Sequence, residues 1–201
     1  MSLIVVVAAV LGLLALGWVV LTYNHLVRDR NRVAQSWSDV DVQLTRRHDL
    51  VPRLLEVVKG YASYERALLE NITQLRSLGS QLRSPAQLTP VETDLAQGLQ
   101  RVIAVAEAYP DLKANESFLG LQRELAETEN QIQFARRYYN GAVNLYNTRI
   151  ESVPDMLLAK TLGFRLAEFF DLDRDERHPG EQDRIMDLHA LPAALGLTLP
   201  L

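Results

Sequence analysis

The chain is expected to be all-α: an N-terminal transmembrane helix, then an up-and-down antiparallel four-helix bundle, then a short C-terminal helix. Three observations predict this class. The first residues form an apolar run long enough to cross a bilayer. Apolar residues in the remainder recur at alternating steps of three and four, the helical period, and strand-like alternation finds no support. Proline and capping residues cut that remainder into amphipathic segments joined by short loops, which can bury their stripes only against one another.

The anchor comes first. Leu3 to Leu21 is free of charge, and at ~1.5 Å per residue a helix of that length matches the hydrocarbon thickness of about 30 Å. A cleaved signal peptide is the rival reading, since Ala15 and Gly17 have small-x-small spacing. No basic residue precedes the run, however, and it continues through Trp18, Val19, Val20 and Leu21 past such a cut. A retained anchor over residues 1–22 is therefore expected, with Trp18 and Tyr23 at the interface. Arg28, Arg30 and Arg32 follow the span, which by the positive-inside rule favours a cytoplasmic domain over a periplasmic one. They lie about 10 to 17 Å beyond it on a straight helix, so they are candidate contacts for lipid headgroups.

The domain is expected over residues 23–170. Leu26, Val33, Trp37, Val40 and Leu44 make a first stripe; Leu54, Val58, Tyr61, Leu68, Ile72, Leu75 and Leu82 make a second. Between them Asp49 and Pro52 resemble an N-cap and a first-turn proline, so a reversal near residues 48–52 is favoured. Against it, both stripes keep one heptad phase across Pro52, as a single kinked helix would. Ser84 to Pro90 reads as a linker, and Leu95, Leu99, Val102, Ala106 and Tyr109 as a shorter helix ended by Pro110. Asn115 can cap a last long helix, Glu116 to about Ile150, with its stripe on Phe118, Leu121, Leu125, Ile132, Ala135, Tyr139, Ala142 and Tyr146. A short apolar helix is expected over Met156 to Phe170, and an acidic, then Leu/Pro-rich, poorly ordered tail over residues 171–201.

Composition narrows the function. The 201 residues carry 21 Lys+Arg and 25 Asp+Glu, interspersed, for a net charge of −4. No extended basic surface of the kind that tracks phosphates results, and nucleic acid is not an expected partner. With no cysteine, thiolate zinc sites, iron–sulfur clusters, cysteine nucleophiles and disulfides are excluded. No HExxH, GxxxxGK[ST] or GxSxG occurs. His25, His48, His178 and His189 never fall four apart and read as solvated surface residues. Asp171, Asp173 and Asp175 imitate a calcium loop, but Glu176 stands where its glycine belongs and Gln182 where its bidentate Glu belongs. No metal, cofactor or catalytic residue is expected.

Two polar features remain. Arg136, Asn140, Asn144 and Asn147 follow steps of four, four and three, so they share one helix face. That face is either a polar ladder fixing register, between helices or between protomers, or an ordinary solvated face. Arg46, Arg47, His48 and Asp49 form the densest charge cluster. It is either a partner or assembly surface at the top of the bundle, or a helix end stabilised by cations with Asp49 capping the next helix.

Several segments together carry a family resemblance. Tyr23-Asn24-His25-Leu26-Val27, Arg30-Asn31-Arg32-Val33, Trp37, Asp41-Val42-Gln43-Leu44, Arg46-Arg47-His48-Asp49-Leu50-Val51-Pro52 and Val58-Lys59-Gly60-Tyr61-Ala62 resemble the LemA family. Ala135-Arg136-Arg137-Tyr138-Tyr139-Asn140, Tyr146-Asn147-Thr148, Gly163-Phe164 and Glu168-Phe169-Phe170 look like its second half. The resemblance covers roughly residues 1–175. The chain departs from the family pattern at Pro154-Asp155-Met156 and in its long tail. Similarity to LemA implies a bacterial inner-membrane protein with one span and a four-helix domain, without established enzymatic activity. It also implies a link to membrane zinc metalloproteases and to membrane organisation. The combined expectation is a non-enzymatic scaffold in contact with the bilayer, self-assembling as a homo-oligomer or docking a membrane protein such as a metalloprotease. A membrane-organising protein is the alternative.

Overall fold

A computed structural model describes residues 2–61 and 65–171. Those residues form helices without strands: α1 (Ser2–Lys59), α2 (Arg66–Gly79), α3 (Pro85–Ala106), the single turn α4 (Pro110–Lys113), α5 (Glu116–Glu151) and α6 (Asp155–Thr161). The all-α class holds, with a long apolar N-terminal helix leading into it. The tail expected over 171–201 lies, past Asp171, outside the described residues.

The expected reversal at residues 48–52 does not occur. Helix α1 runs through Pro52 for 58 residues, about 87 Å at ~1.5 Å per residue, and the chain turns only after Lys59. Proline at 52 has no N–H to give the carbonyl of His48, one turn below. Arg76 of α2 supplies the missing donor, its Nε 2.7 Å from that oxygen. A neighbouring helix thus satisfies what the proline leaves open, and the common heptad phase of the two stripes was the correct signal. The second stripe is consequently divided, Leu54 and Val58 lying on α1, Leu68, Ile72 and Leu75 on α2.

Two further boundaries move. The expected Ser84–Pro90 linker shrinks, because Pro85 opens α3 at its first position, where a missing N–H costs nothing, and Pro90 lies inside the helix. The expected Met156–Phe170 helix stops at Thr161, and Gly163 takes φ +72°, the left-handed conformation that ends helices. Residues 164–170 form neither helix nor strand. Asn147 and Asn140, about 10.5 Å apart on α5, bind Ala167 and Phe170, which requires an extended step between those two. The cap at Asn115 is as expected, its Oδ1 accepting from the Phe118 N–H at 3.1 Å.

Helices α1, α2, α3 and α5 run up, down, up and down. All four meet only in the upper part, the head, around Val51, Leu54, Ile72, Leu95, Val102 and Leu121. Gly98 of α3 lets α2 come close: a Cβ there would lie 3.0 Å from Ile72 Cγ1. Below the head only α1 and α5 continue, as a stalk. At its foot Leu26, Tyr146, Ile150 and Ala159 of α6 form a smaller cluster. Below that, α1 alone carries the apolar run, whose side chains from Leu3 to Leu16 are open, Leu3 at 75% and Leu16 at 61% exposure. Such a surface fits a bilayer interior by length and composition.

Candidate functional site

Two polar assemblies hold the fold together, one in the head and one along the stalk. In the head, Arg47 of α1 and Glu92 of α3 are almost fully enclosed, 1% and 0% exposed. Arg47 Nη2 donates to Glu92 Oε2, and its Nη1 donates to Glu129 Oε2 of α5 at 2.9 Å. His48 Nε2 donates to Glu92 Oε1 at 2.8 Å. Since Arg76 of α2 holds the His48 carbonyl, one cluster joins all four helices. Burial by itself would raise the Glu92 carboxyl, but the His48 hydrogen bond and the Arg47 charge outweigh it and hold the group below its ordinary value. Gly79 makes room: a Cβ there would lie 2.6 Å from Glu92 Oε1 and 3.1 Å from His48 Cε1.

The Arg46–Asp49 motif is thereby divided. Arg46 and Asp49 face solvent, whereas Arg47 and His48 point inward and present nothing to a partner. His48 is not the solvated histidine expected, and with no helix starting at Asp49 the capping reading also fails. Glu92 was missed, yet it carried a signal. It stands in the apolar stripe of α3, four after Leu88, three before Leu95 and seven before Leu99, where a charge is expensive unless paired.

Along the stalk, the segment 164–170 lies on α1 and α5 as a strap. Asn140 grips one residue of it with both amide atoms: Nδ2 donates to the Phe170 carbonyl at 2.9 Å and Oδ1 accepts the Phe170 N–H at 3.0 Å. Asn147 does the same to Ala167, at 3.0 and 2.9 Å. Tyr139 Oη donates to the Glu168 carbonyl at 2.7 Å, and burial together with the Glu168 charge pushes its phenol up to about 12. The two asparagines are two helical turns apart, about 10.5 Å, and three extended residues cover about 10 Å, so both can engage at once, the strap antiparallel to α5. Phe164, Ala167 and Phe170 turn inward at every third position. Phe170 is fully buried against Trp37, ring centroids 5.5 Å apart, and Trp37 also meets Tyr139 at 5.2 Å.

The Arg136–Asn147 face is divided, and two of its asparagines hold the strap instead of α1. Asn140 and Asn147 set the register of the strap, Asn144 is exposed, and Arg136 is half-buried. Arg28, Arg30 and Arg32 all face solvent near the end of the apolar run, Arg30 with its guanidinium 5.5 Å from the Phe164 ring centroid. At the same level Arg149 pairs with Asp29 at 2.7 Å and donates to His25 Nδ1 at 3.1 Å. Thr22 Oγ1 donates to Asp155 Oδ1 at 3.3 Å, so α6 begins where the apolar run ends. Among the described residues no three His, Asp or Glu side chains are placed to hold a metal ion.

The motifs that form these assemblies lie within the reach of one family model, that of the LemA family, which matches residues 36–181. The chain belongs to the LemA family. Relatives agree. Protein LemA of Metamycoplasma hominis is 27% identical over 77% of this chain and 71% of its own length. Magnetosome protein MamQ 2 of Paramagnetospirillum magneticum is 25% identical over 82% of this chain and 70% of its own. Magnetosome protein MamQ of Magnetospirillum gryphiswaldense is 21% identical over 74% and 64%. Within the matched residues, Arg47 and His48 belong to the head's charge centre, and Pro52 is the proline whose lost hydrogen bond Arg76 replaces. Asn140 and Asn147 of the C-terminal motif are the strap's two anchors.

Proposed function

We propose that this LemA-family chain is a membrane-anchored, non-catalytic scaffold that holds a helical head at a fixed height above a bacterial inner membrane. The observation that carries this reading is the continuity of α1, which passes from the exposed apolar run into the core of the head without an interruption. From Thr22 to Lys59 the helix rises about 57 Å, so the head is displayed well clear of headgroups. The buried charges answer one another, as in a centre that fixes structure. Its partners would be the bilayer, further copies of the chain, and a membrane protein such as a zinc metalloprotease. The positive-inside bias of Arg28, Arg30 and Arg32 supports a cytoplasmic domain.

Extraction and co-purification test this together. The chain should resist alkaline carbonate and, after mild-detergent purification, carry a membrane protein at a fixed ratio; recovery in the soluble fraction with nothing attached would overturn it. A membrane-organising role is favoured by one observation. Val153, Leu157 and Leu162 are 75%, 61% and 48% exposed on the segment whose Asp155 touches Thr22 at the end of the span. These side chains could enter the interface beside the anchor. If that role is the main one, Leu157→Glu should abolish vesicle deformation by reconstituted protein while leaving its partners attached.

A further inference from the structure

We propose that the stalk is a self-association surface: the stripe Phe134, Tyr138 and Leu145 of α5, with Val42 of α1, meets the same stripe of a second copy across a two-fold axis parallel to the membrane normal. The proposal rests on reading α1 as an anchor. These four side chains are 61%, 61%, 58% and 62% exposed in the single chain. On α5 they follow steps of four and seven, with Gly141 between, so they form one narrow face, the seam that helices use to pack. No Cβ-level obstruction stands at Gly141, whose surroundings are open.

Two features of the molecule select a second copy as the occupant. The first is height. Helix α1 is unbroken from the span past Val42, so the stripe stands at one level in every copy, and copies in one bilayer approach sideways with their axes aligned. A closed, self-complementary contact between such copies requires a two-fold axis along the normal.

The second is charge. Trp37 packs on Tyr139 and Arg47 reaches Glu129, which fixes the antiparallel register of α1 and α5 and puts Asp39 level with Arg137. The two residues lie on opposite sides of the α5 part of the stripe. Asp39 lines the groove between the helices with Val42, Phe134 and Tyr138, whereas Arg137 follows Phe134 by three residues, about 300° round α5 and so on the side away from that groove. A two-fold rotation exchanges left and right. Each copy's Asp39 therefore comes opposite Arg137 of its partner, twice per dimer. Arg137 is already held toward the stripe, its guanidinium 4.7 Å from the Phe134 ring centroid. Four apolar side chains per copy make a small contact, one that forms chiefly where anchors confine the chains to a plane.

The absence of cysteine from the chain allows a clean test. Full-length Tyr138→Cys in membranes, oxidised with copper phenanthroline, should run mostly as a disulfide-linked dimer. Gln97→Cys, exposed on α3, should remain monomeric. Added to Tyr138→Cys, Asp39→Arg or Arg137→Asp alone should lower dimer yield about five-fold, because like charges then oppose each other. The two together should restore it, which also shows that the single variants had not misfolded. Equal yields at positions 138 and 97, or no recovery in the double variant, would overturn the interface. Carbonate washing of the same membranes separates the two readings. Release of the chain defeats the anchor and the proposal with it, whereas retention without a Tyr138→Cys dimer defeats the interface alone.

Discussion

Head and stalk share α1 and α5 but are closed in different ways. In the head two further helices cover the apolar stripes, and Leu54, Ile72 and Leu95 reach 0% exposure. Enough helices converge there that a buried Arg47 finds Glu92 and Glu129 on two separate neighbours. In the stalk only two helices remain, and a pair has no third surface to cover its seam. The strap supplies part of that surface, at a cost, since an extended segment lying on helices has no ladder partner for its own N–H and C=O groups. Asn140 and Asn147 answer that need by imitating a neighbouring strand, one amide for each peptide. Four helices can bury charge; two helices must bind backbone.

The largest effect should come from breaking the head. Arg47→Ala leaves Glu92 enclosed without its cation, and losing one partner of a buried pair costs about 3 to 5 kcal/mol. Denaturant unfolding should show that loss. A drop of under 1 kcal/mol would mean that the cluster is well hydrated and that the head is no different from the stalk. The same centre should make the head acid-sensitive. Glu92's folded value lies below its ordinary 4.5, so its contribution is complete above that pH and declines as pH falls below it. Glu92→Gln should remove this acid-dependent part.

Gly79→Ala is next. The added methyl would meet Glu92 Oε1 at 2.6 Å and the His48 ring just above 3 Å, and overpacking of such a site costs about 1 to 3 kcal/mol. A shift in melting temperature should follow, and a neutral result would show that the Glu92 carboxyl can swing away without loss.

The stalk should respond differently, locally instead of globally. Asn140→Ala and Asn147→Ala each leave a peptide of the strap unmatched, a loss of about 1 to 2 kcal/mol apiece. Hydrogen exchange at Ala167 and Phe170 should rise sharply while amides of α3 stay protected. If both regions lost protection together, head and stalk would be one cooperative unit and the contrast between them would fail.

Legibility in the sequence divides along the same line. The helical period exposed the class and most core positions, because each apolar stripe is a local pattern, and the uncharged run marked the long apolar start of α1. Asn115 was readable as a cap for the same reason. The course of the chain at Pro52 was readable only in the common heptad phase of the two stripes, since the donor that rescues the His48 carbonyl is Arg76, a residue 28 positions away. Glu92 was readable in part, as a charge in an apolar phase, but not its partners on α1 and α5. The strap was hidden more deeply. Phe164, Ala167 and Phe170 show a period of three that belongs to neither helix nor strand, and the polar face of Asn140 and Asn147 looks like any wet helix until a backbone is laid against it.

The smallest effect concerns Tyr139, where stalk chemistry can be followed by pH. Its phenol donates to the Glu168 carbonyl and ionises only at about 12 in the folded chain, against an ordinary 10. Because the folded value is raised, the stabilisation is complete below pH 10 and is lost as pH climbs toward 12, since the Tyr139 phenol ionises near 10 once the strap has lifted and only near 12 beneath it. Tyr139→Phe removes one hydrogen bond, about 1 kcal/mol at neutral pH, and with it the alkaline dependence. Trp37 reports on the event, since its ring lies against both Tyr139 and Phe170. In a Trp18→Phe background its emission should move to the red between pH 10 and 12 as the strap lifts. With Tyr139→Phe added, the emission should move less over that interval, since Tyr146, its phenol also raised by burial, is then the buried phenol left beside the strap. Identical alkaline curves for the two proteins would show that the phenol does not hold the strap. The contrast with the head would then rest on Asn140 and Asn147 alone.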